Sequence, residues 1–150
     1  MYSMDAKEFL LEYAALKMEA INHSKRIIKA FNDTQIPATY LYEDSRRALG
    51  SKDRKENVTI RYIETKDYLQ PQIDANIAKM RQIEDAISNM TDGLEREVLR
   101  LRYIDVGGWK PVPWREVAME LYGDDEEKDL KRVQRLHREA LKSFGKILDS

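Results

Sequence analysis

The stretch that decides the fold runs from Thr91 to Leu148: TDGLEREVLRLRYIDVGGWKPVPWREVAMELYGDDEEKDLKRVQRLHREALKSFGKIL. Its apolar residues recur at spacings of three and four, which is typical of amphipathic helices. Glycines interrupt the pattern twice, at Gly107–Gly108 and at Gly123. The stretch therefore predicts three short helices joined by turns, a helix-turn-helix unit. We expect the helices at about 92–104, at 114–122 and from the acidic turn to 148, with Thr91 or Asp92 capping the first and Pro113 preceding the second.

The third of these helices has two chemically distinct faces. Its apolar positions predict a buried stripe made of Leu130, Val133, Leu136, Ala140, Leu141, Phe144 and Leu148. Between Lys128 and Lys146 there are seven Lys or Arg residues against only Asp129 and Glu139. If the apolar stripe is buried, most of these cations must point outward.

A row of outward cations on the last helix of such a unit favours binding in the major groove of DNA. Phosphate neutralisation needs cations on one surface, and base recognition needs Arg, Lys, Gln or Asn near the start of the inserted helix. The alternative is that the basic face is simply solvated. We predict the following DNA-binding residues: Arg115, Lys128, Lys131, Arg132, Gln134, Arg135, Arg138 and Lys142.

Three pieces of this stretch carry a resemblance to a known family: LEREVLRLRYID, PWREVAMEL and KRVQRLHREALKSF. They resemble region four of bacterial sigma factors and, more closely, small phage-encoded regulators of late transcription, the late-gene activators of the ArpU and RinA type. The resemblance covers about 60 residues. It implies that the third helix contacts promoter DNA, with Lys131, Arg132, Gln134 and Arg135 facing the groove and Arg115 and Lys128 near phosphates. It also implies docking on RNA polymerase.

The chain departs from the family pattern at the turn before the third helix. The segment YGDDEEKD is longer and more acidic than the usual turn, and Asp129 occupies the expected cap position. Leu130 replaces a polar residue often used for contact. Four consecutive acids at 124–127 repel phosphates over about 8 Å at physiological salt. Either this turn points away from DNA, or the unit binds a protein instead.

The first 90 residues predict an all-helical arm, which we separate from the helix-turn-helix domain at 91–150. Apolar residues follow helical spacing over about 4–31 and again over about 58–90. Pro71 should kink the second helix or start a new one. The intervening polar segment 32–57, with Pro37 and Gly50, predicts a connection in which ATYLY at 38–42 forms a short packed turn. Two long helices and one loop predict an antiparallel, coiled-coil-like hairpin that serves as a scaffold or as a homodimer contact.

Composition limits the remaining possibilities. The net charge is −1, so attraction to nucleic acid must come from a local patch. No cysteine is present, which excludes disulfides and thiolate ligands in this chain and favours a reducing cytoplasm. The resemblance implies the cytoplasm of a bacterial host. No apolar run is long enough to span a bilayer, so we expect no membrane partner.

The sequence contains few residues that suggest catalysis or ligand binding. The two histidines, His23 and His137, have no metal-ligand spacing with a second His. We expect His23 at a helix seam or on the surface, and His137 either packed against the first helix of the C-terminal unit or on a phosphate. Trp109 and Trp114 could stack on bases, but their positions favour core and hinge roles. We therefore predict no catalytic residue, no metal and no cofactor.

The sequence thus predicts a non-enzymatic, sequence-specific DNA-binding regulator that contacts promoter DNA. The resemblance implies that it is of phage type and that RNA polymerase is a further partner. A protein-interaction module without DNA recognition is the second hypothesis, and the acidic turn and neutral net charge favour it.

Overall fold

The computed structural model describes residues 2–35 and 51–150. Within these ranges every regular element is helical. Helix α1 spans Tyr2–Thr34 and helix α2 spans Ser51–Ser88. The prediction of an all-helical chain that begins with two long helices is confirmed. The predicted turn at 38–42, with Pro37 and Gly50, lies outside the described residues.

Helix α2 begins earlier than its apolar pattern predicts. The polar segment SKDRKEN, which we expected in the connection, forms its first two turns. Lys, Glu and Arg are good helix formers, so a run of them continues a helix without an apolar stripe of its own. The predicted start at Val58 was wrong for this reason.

Pro71 lies inside α2, and the helix continues on both sides of it. No new segment starts there. The missing N–H of Pro71 leaves the carbonyl of Asp67 without its helical donor. The ring itself is exposed to solvent. A proline on the outside of a long helix removes one hydrogen bond without ending the element.

The C-terminal unit has the three helices predicted from its sequence. Helix α3 spans Gly93–Leu99 and widens into a π-helical turn at Arg100–Ile104, where the N–H of Asp105 donates to the carbonyl of Arg100 at 2.8 Å. Helix α4 spans Trp114–Tyr122, and helix α5 spans Glu127–Asp149.

The helix ends follow simple capping rules. The carboxylate of Asp92, not Thr91, accepts the N–H of Glu95 at 2.9 Å and caps α3. Gly123 ends α4 with φ of 73°, a left-handed conformation in which a side chain would be strained.

The compact units do not divide at residue 90. One unit joins Met1–Met18 to Ile77–Ser150, and the other is Glu19–Asn76. In the first unit, Leu10 and Ile83 of the two long helices share a fully buried core with the three C-terminal helices. The full set of buried core residues is Ala6, Leu10, Tyr13, Ile83, Ala86, Ile87, Met90, Val98, Leu99, Tyr103, Val117, Ala118, Val133, Ala140 and Phe144. The three short helices thus complete their core with the ends of the long ones.

Polar contacts support this unit from α1. The ammonium of Lys17 donates to the carbonyls of Ile104 at 3.4 Å and Val106 at 3.1 Å, where the π-helical turn ends. The hydroxyl of Tyr13 donates to the carboxylate of Glu84 at 3.1 Å. Burial, reinforced by the charge of Glu84, raises the pKa of Tyr13 well above its usual value.

The described residues of the second unit form two antiparallel helical segments. The amide of Asn76 donates to the carboxylate of Glu19 at 3.5 Å, and the rings of Phe31 and Tyr62 meet edge to face at 5.5 Å. Within α1, the buried His23 receives a hydrogen bond at Nδ1 from Arg26 at 2.9 Å. Of the two positions predicted for His23, burial excludes the surface.

Candidate nucleic-acid interface

Helix α5 separates apolar and charged residues onto opposite faces. Val133, Ala140 and Phe144 are fully buried. The remaining predicted stripe residues, Leu130, Leu136, Leu141 and Leu148, are partly buried and pack against the same core. Because one face is held by the core, the opposite face is fixed in direction and points to solvent.

All eight residues predicted from the sequence to bind DNA are exposed. Seven of them lie on α5, and Arg115 lies in the first turn of α4. The set comprises Arg115, Lys128, Lys131, Arg132, Gln134, Arg135, Arg138 and Lys142. We refer to the seven on α5 as the polar face of α5. It is a continuous surface along a single helix.

Two of its lysines have partners on the same helix. Lys131 lies 3.4 Å from the carboxylate of Glu127, and Lys142 lies 3.5 Å from that of Glu139. Both pairs are more than half exposed. Exposed pairs of this kind contribute about 0–1 kcal/mol, so they do not prevent either lysine from contacting another anion. Arg135 and Arg138 form no ion pair or hydrogen bond with any part of the chain that the structure describes.

Arg132 is held differently. Its Nη1 lies 3.7 Å from Oδ1 of Asp129, and its guanidinium carbon lies 4.2 Å from the centre of the Tyr122 ring. Sequence reasoning selected Arg132 but missed both partners. The three-residue spacing between Asp129 and Arg132 was the available signal, since such residues are neighbours on a helix.

The acidic turn differs from the prediction in its capping. Glu126, not Asp129, is the N-cap residue of α5, and its N–H donates to the carboxylate of Asp124 at 3.0 Å. Asp129 lies in the first turn and is only 6% exposed. The prediction of Asp129 at the cap was wrong because the helix begins one turn earlier than the apolar stripe indicates.

Carboxylate oxygens of Asp124, Glu126 and Asp129 lie within 4.8 Å of one another. Their combined negative charge at the N-terminus of α5 is stabilised by the helix dipole. Arg132 supplies positive charge at the same place.

Beneath the polar face, His137 belongs to a buried aromatic cluster. Its Nε2 lies 2.6 Å from the hydroxyl of Tyr103, and its ring meets Trp114 edge to face at 4.7 Å. Burial lowers the pKa of His137 to about 4, with further lowering by Arg102. Burial also raises the pKa of Tyr103. Of the two roles predicted for His137, packing against the first helix of the unit is confirmed, and contact with a phosphate is wrong because the ring is buried.

The two tryptophans have different environments. Trp114 is half-buried, and the guanidinium of Arg102 lies 4.1 Å from the centre of its ring. The predicted core role is confirmed for Trp114. Trp109 lies in the loop before α4 and is 55% exposed, so the core role predicted for it is wrong.

A groove that sequence reasoning did not predict lies between the π-helical turn and α4. Its volume is about 490 Å³, and its apolar lining includes Leu101, Val112 and Met119. Met119 is 49% exposed. The charged residues that line it are all acidic: Asp105, Glu116 and Glu120. This surface differs in charge and polarity from the polar face of α5.

Comparison with protein-family models, with curated proteins and with solved structures finds no match for this chain. None of the helices in the described ranges is long and apolar enough to cross a bilayer.

Proposed function

We propose that this protein is a sequence-specific regulator of transcription, of phage type, that places α5 in the major groove of double-stranded DNA. The observation that supports the proposal most directly is the exposure of Arg135 and Arg138, which have no ionic partner among the described residues, on a helix whose opposite face is buried. A rigid amphipathic helix with outward cations has the size and charge that the major groove accepts.

The residues of the polar face divide by position along α5. Arg132, Gln134 and Arg135 lie in the first half of the helix, where side chains of an inserted helix reach base edges. Lys128, Arg138 and Lys142, together with Arg115 of α4, would neutralise phosphates. The phosphate contacts supply affinity, and the base contacts supply sequence preference.

The acidic turn is compatible with this arrangement. Asp124, Glu126 and Asp129 cluster around the start of α5, whereas Arg135 and Arg138 lie two and three turns further along it. Repulsion of phosphates is therefore concentrated at the end of the helix where Lys128 lies, whereas Arg138 and Lys142 lie beyond it.

The experiment that tests DNA binding is fluorescence anisotropy of the full chain with a labelled duplex at increasing salt. If four cations contact phosphates, the affinity should fall about 150-fold between 50 and 200 mM monovalent salt. Replacing Arg135 and Arg138 together by Gln should weaken binding and flatten the salt dependence. The matched control is Lys25→Gln with Lys29→Gln, which removes two exposed cations from α1. Binding that is absent in the wild type, or equal in both double variants, contradicts the proposal.

A protein-docking function is the second candidate, and the acidic groove favours it. Its apolar floor and three carboxylates fit a partner segment that has both apolar and basic side chains. Within the DNA-binding proposal, the same groove is where RNA polymerase would dock in the host cytoplasm. A homodimer formed through the N-terminal helices belongs to the proposal as well. Light scattering tests the dimer. Met119→Ser tests the groove, since it removes an apolar contact and should weaken the docking of RNA polymerase while leaving the salt dependence of DNA binding unchanged.

A further inference from the structure

Arg132 is the one cation of the polar face whose guanidinium contacts two side chains from different elements, within the part of the chain that the structure describes. Asp129 lies one turn before it on α5, and Tyr122 is the last residue of α4. Both anchors are themselves fixed, because Asp129 is 6% exposed and Tyr122 packs against the core. The guanidinium carbon lies 4.2 Å from the ring centre, which is within cation–π range.

Arg135 and Arg138 contrast with it. They have the same chemistry and lie on the same face, but neither has an ionic partner or hydrogen-bond partner in the described residues. A phosphate contact tolerates a mobile side chain, since it depends mainly on charge. Recognition of a base edge depends on geometry, and holding the side chain in place beforehand lowers the entropy lost on binding. The geometry of Arg132 therefore suits recognition of a base edge better than contact with a phosphate.

The charges around Arg132 also favour contact with a base over contact with a phosphate. Carboxylates of Asp124, Glu126 and Asp129 lie together near Arg132, and they repel a phosphate at short range. The major-groove edge of guanine is uncharged and offers two acceptors, O6 and N7. Arg132 is 60% exposed at its side chain, so donors that do not face Asp129 remain accessible.

We propose that Arg132 recognises one guanine in the major groove and that Asp129 and Tyr122 are positioning residues that hold its guanidinium for this contact. The inference rests on the proposed DNA-binding function and adds to it the base that is recognised and the residues that orient the recognising side chain.

The first experiment tests the guanine contact. Wild-type full chain selects a duplex from a random pool, and each guanine of the selected duplex is then replaced in turn by 7-deazaguanine, which lacks the N7 acceptor. One position should weaken wild-type binding roughly 5- to 150-fold. Arg132→Ala should be insensitive to the same replacement, whereas Arg135→Ala, the matched control, should retain the sensitivity at that position. Equal sensitivity of Arg132→Ala and the wild type at every guanine overturns the proposal.

The second experiment tests the positioning residues. Asp129→Asn and Tyr122→Leu should each lower the ratio of the affinity for the selected duplex to that for a scrambled duplex roughly 2- to 12-fold. Tyr122→Phe keeps the ring and should bind both duplexes as the wild type does. Circular dichroism melting establishes that each variant is folded, and Asp129→Asn provides the test if Tyr122→Leu is not.

Other outcomes are informative. Equal losses on both duplexes indicate a structural role only and overturn the positioning assignment, as does wild-type affinity in both variants. If the wild type binds no duplex and shows no salt-dependent association, the proposed function itself fails. If it binds DNA but the scan finds no position linked to Arg132, only this inference fails.

Discussion

The two compact units contain apolar residues at similar helical spacing but bury them to different extents. In the unit formed by Met1–Met18 and Ile77–Ser150, Ile83 is fully buried. In the unit Glu19–Asn76, Ile60 of the same helix is 50% exposed and Tyr68 is 73% exposed. A helix that packs on one neighbour can bury only the stripe that faces it, whereas a helix packed on several neighbours buries a wider arc.

Helix α1 shows the same contrast on a single face. Leu10 and Ile28 are separated by five turns of 3.6 residues and therefore project in the same direction. Leu10 is fully buried and Ile28 is 57% exposed. Helical periodicity assigns both to one stripe. They differ because Leu10 belongs to the core shared with the C-terminal helices, whereas Ile28 does not.

The largest expected effect comes from truncating an isoleucine in each unit. Ile83→Ala removes a fully buried side chain from the shared core and should lower the free energy of unfolding by about 2–5 kcal/mol. Ile60→Ala, the same substitution on the same helix, should change it by no more than about 0.5 kcal/mol. Urea denaturation of the full chain followed by circular dichroism measures both. Similar losses in the two variants would contradict the exposure of Ile60.

The next effect concerns His137, the buried histidine of the first unit. Its pKa of about 4 lies below the ordinary value of 6.5 because burial disfavours the charged ring. The unfolded chain therefore binds a proton before the folded chain does as the pH falls. The stability contributed by the neutral ring is complete above pH 6.5 and decreases between pH 6.5 and 4, by up to about 3 kcal/mol.

His137→Gln should remove this part of the pH dependence, because glutamine does not titrate. The measurement is the free energy of unfolding between pH 7.5 and 4.5, compared with the wild type. His23→Gln in the other unit is the matched control for loss of a buried imidazole. If the curves of His137→Gln and the wild type are parallel, His137 does not remain neutral in the folded protein.

The smallest effect lies at the junction between α2 and α3. Asp92→Ala removes the carboxylate that caps α3 and should cost about 1 kcal/mol. Thr91→Ala, one residue earlier and exposed, should change stability by less than about 0.5 kcal/mol. Thermal unfolding of the two variants distinguishes the alternative caps, and a larger loss for Thr91→Ala would contradict the observed cap.

Much of the fold followed from local patterns. The bounds of α4 were predictable because Pro113 and Gly123, which flank it directly, set them. The capping of α3 was predictable because Asp92 immediately precedes that helix. The start of α2 was not predictable from apolar spacing, since its first two turns consist of charged residues that favour a helix by propensity alone.

Some features of the candidate site were likewise predictable from the sequence, and others were not. The outward direction of the polar face followed from the period of α5, because burying one stripe exposes the opposite one. The groove beside α4 could not be predicted, since its lining combines Leu101, Val112 and Met119 from separate segments. The contact between Arg132 and Tyr122 depends likewise on how the turn brings the end of α4 to α5.

The sequence by itself determined that the chain is helical, which face of α5 is apolar and where the cations project, because these properties depend on residues within a few turns of one another. Only the tertiary structure decided that Leu10 is buried while Ile28 is exposed, that residues 1–18 and 77–90 belong with the C-terminal helices, and that Arg132 is held between two anchors. These outcomes depend on which surfaces meet across long separations in sequence, and the periodicity of one helix contains no information about its partners.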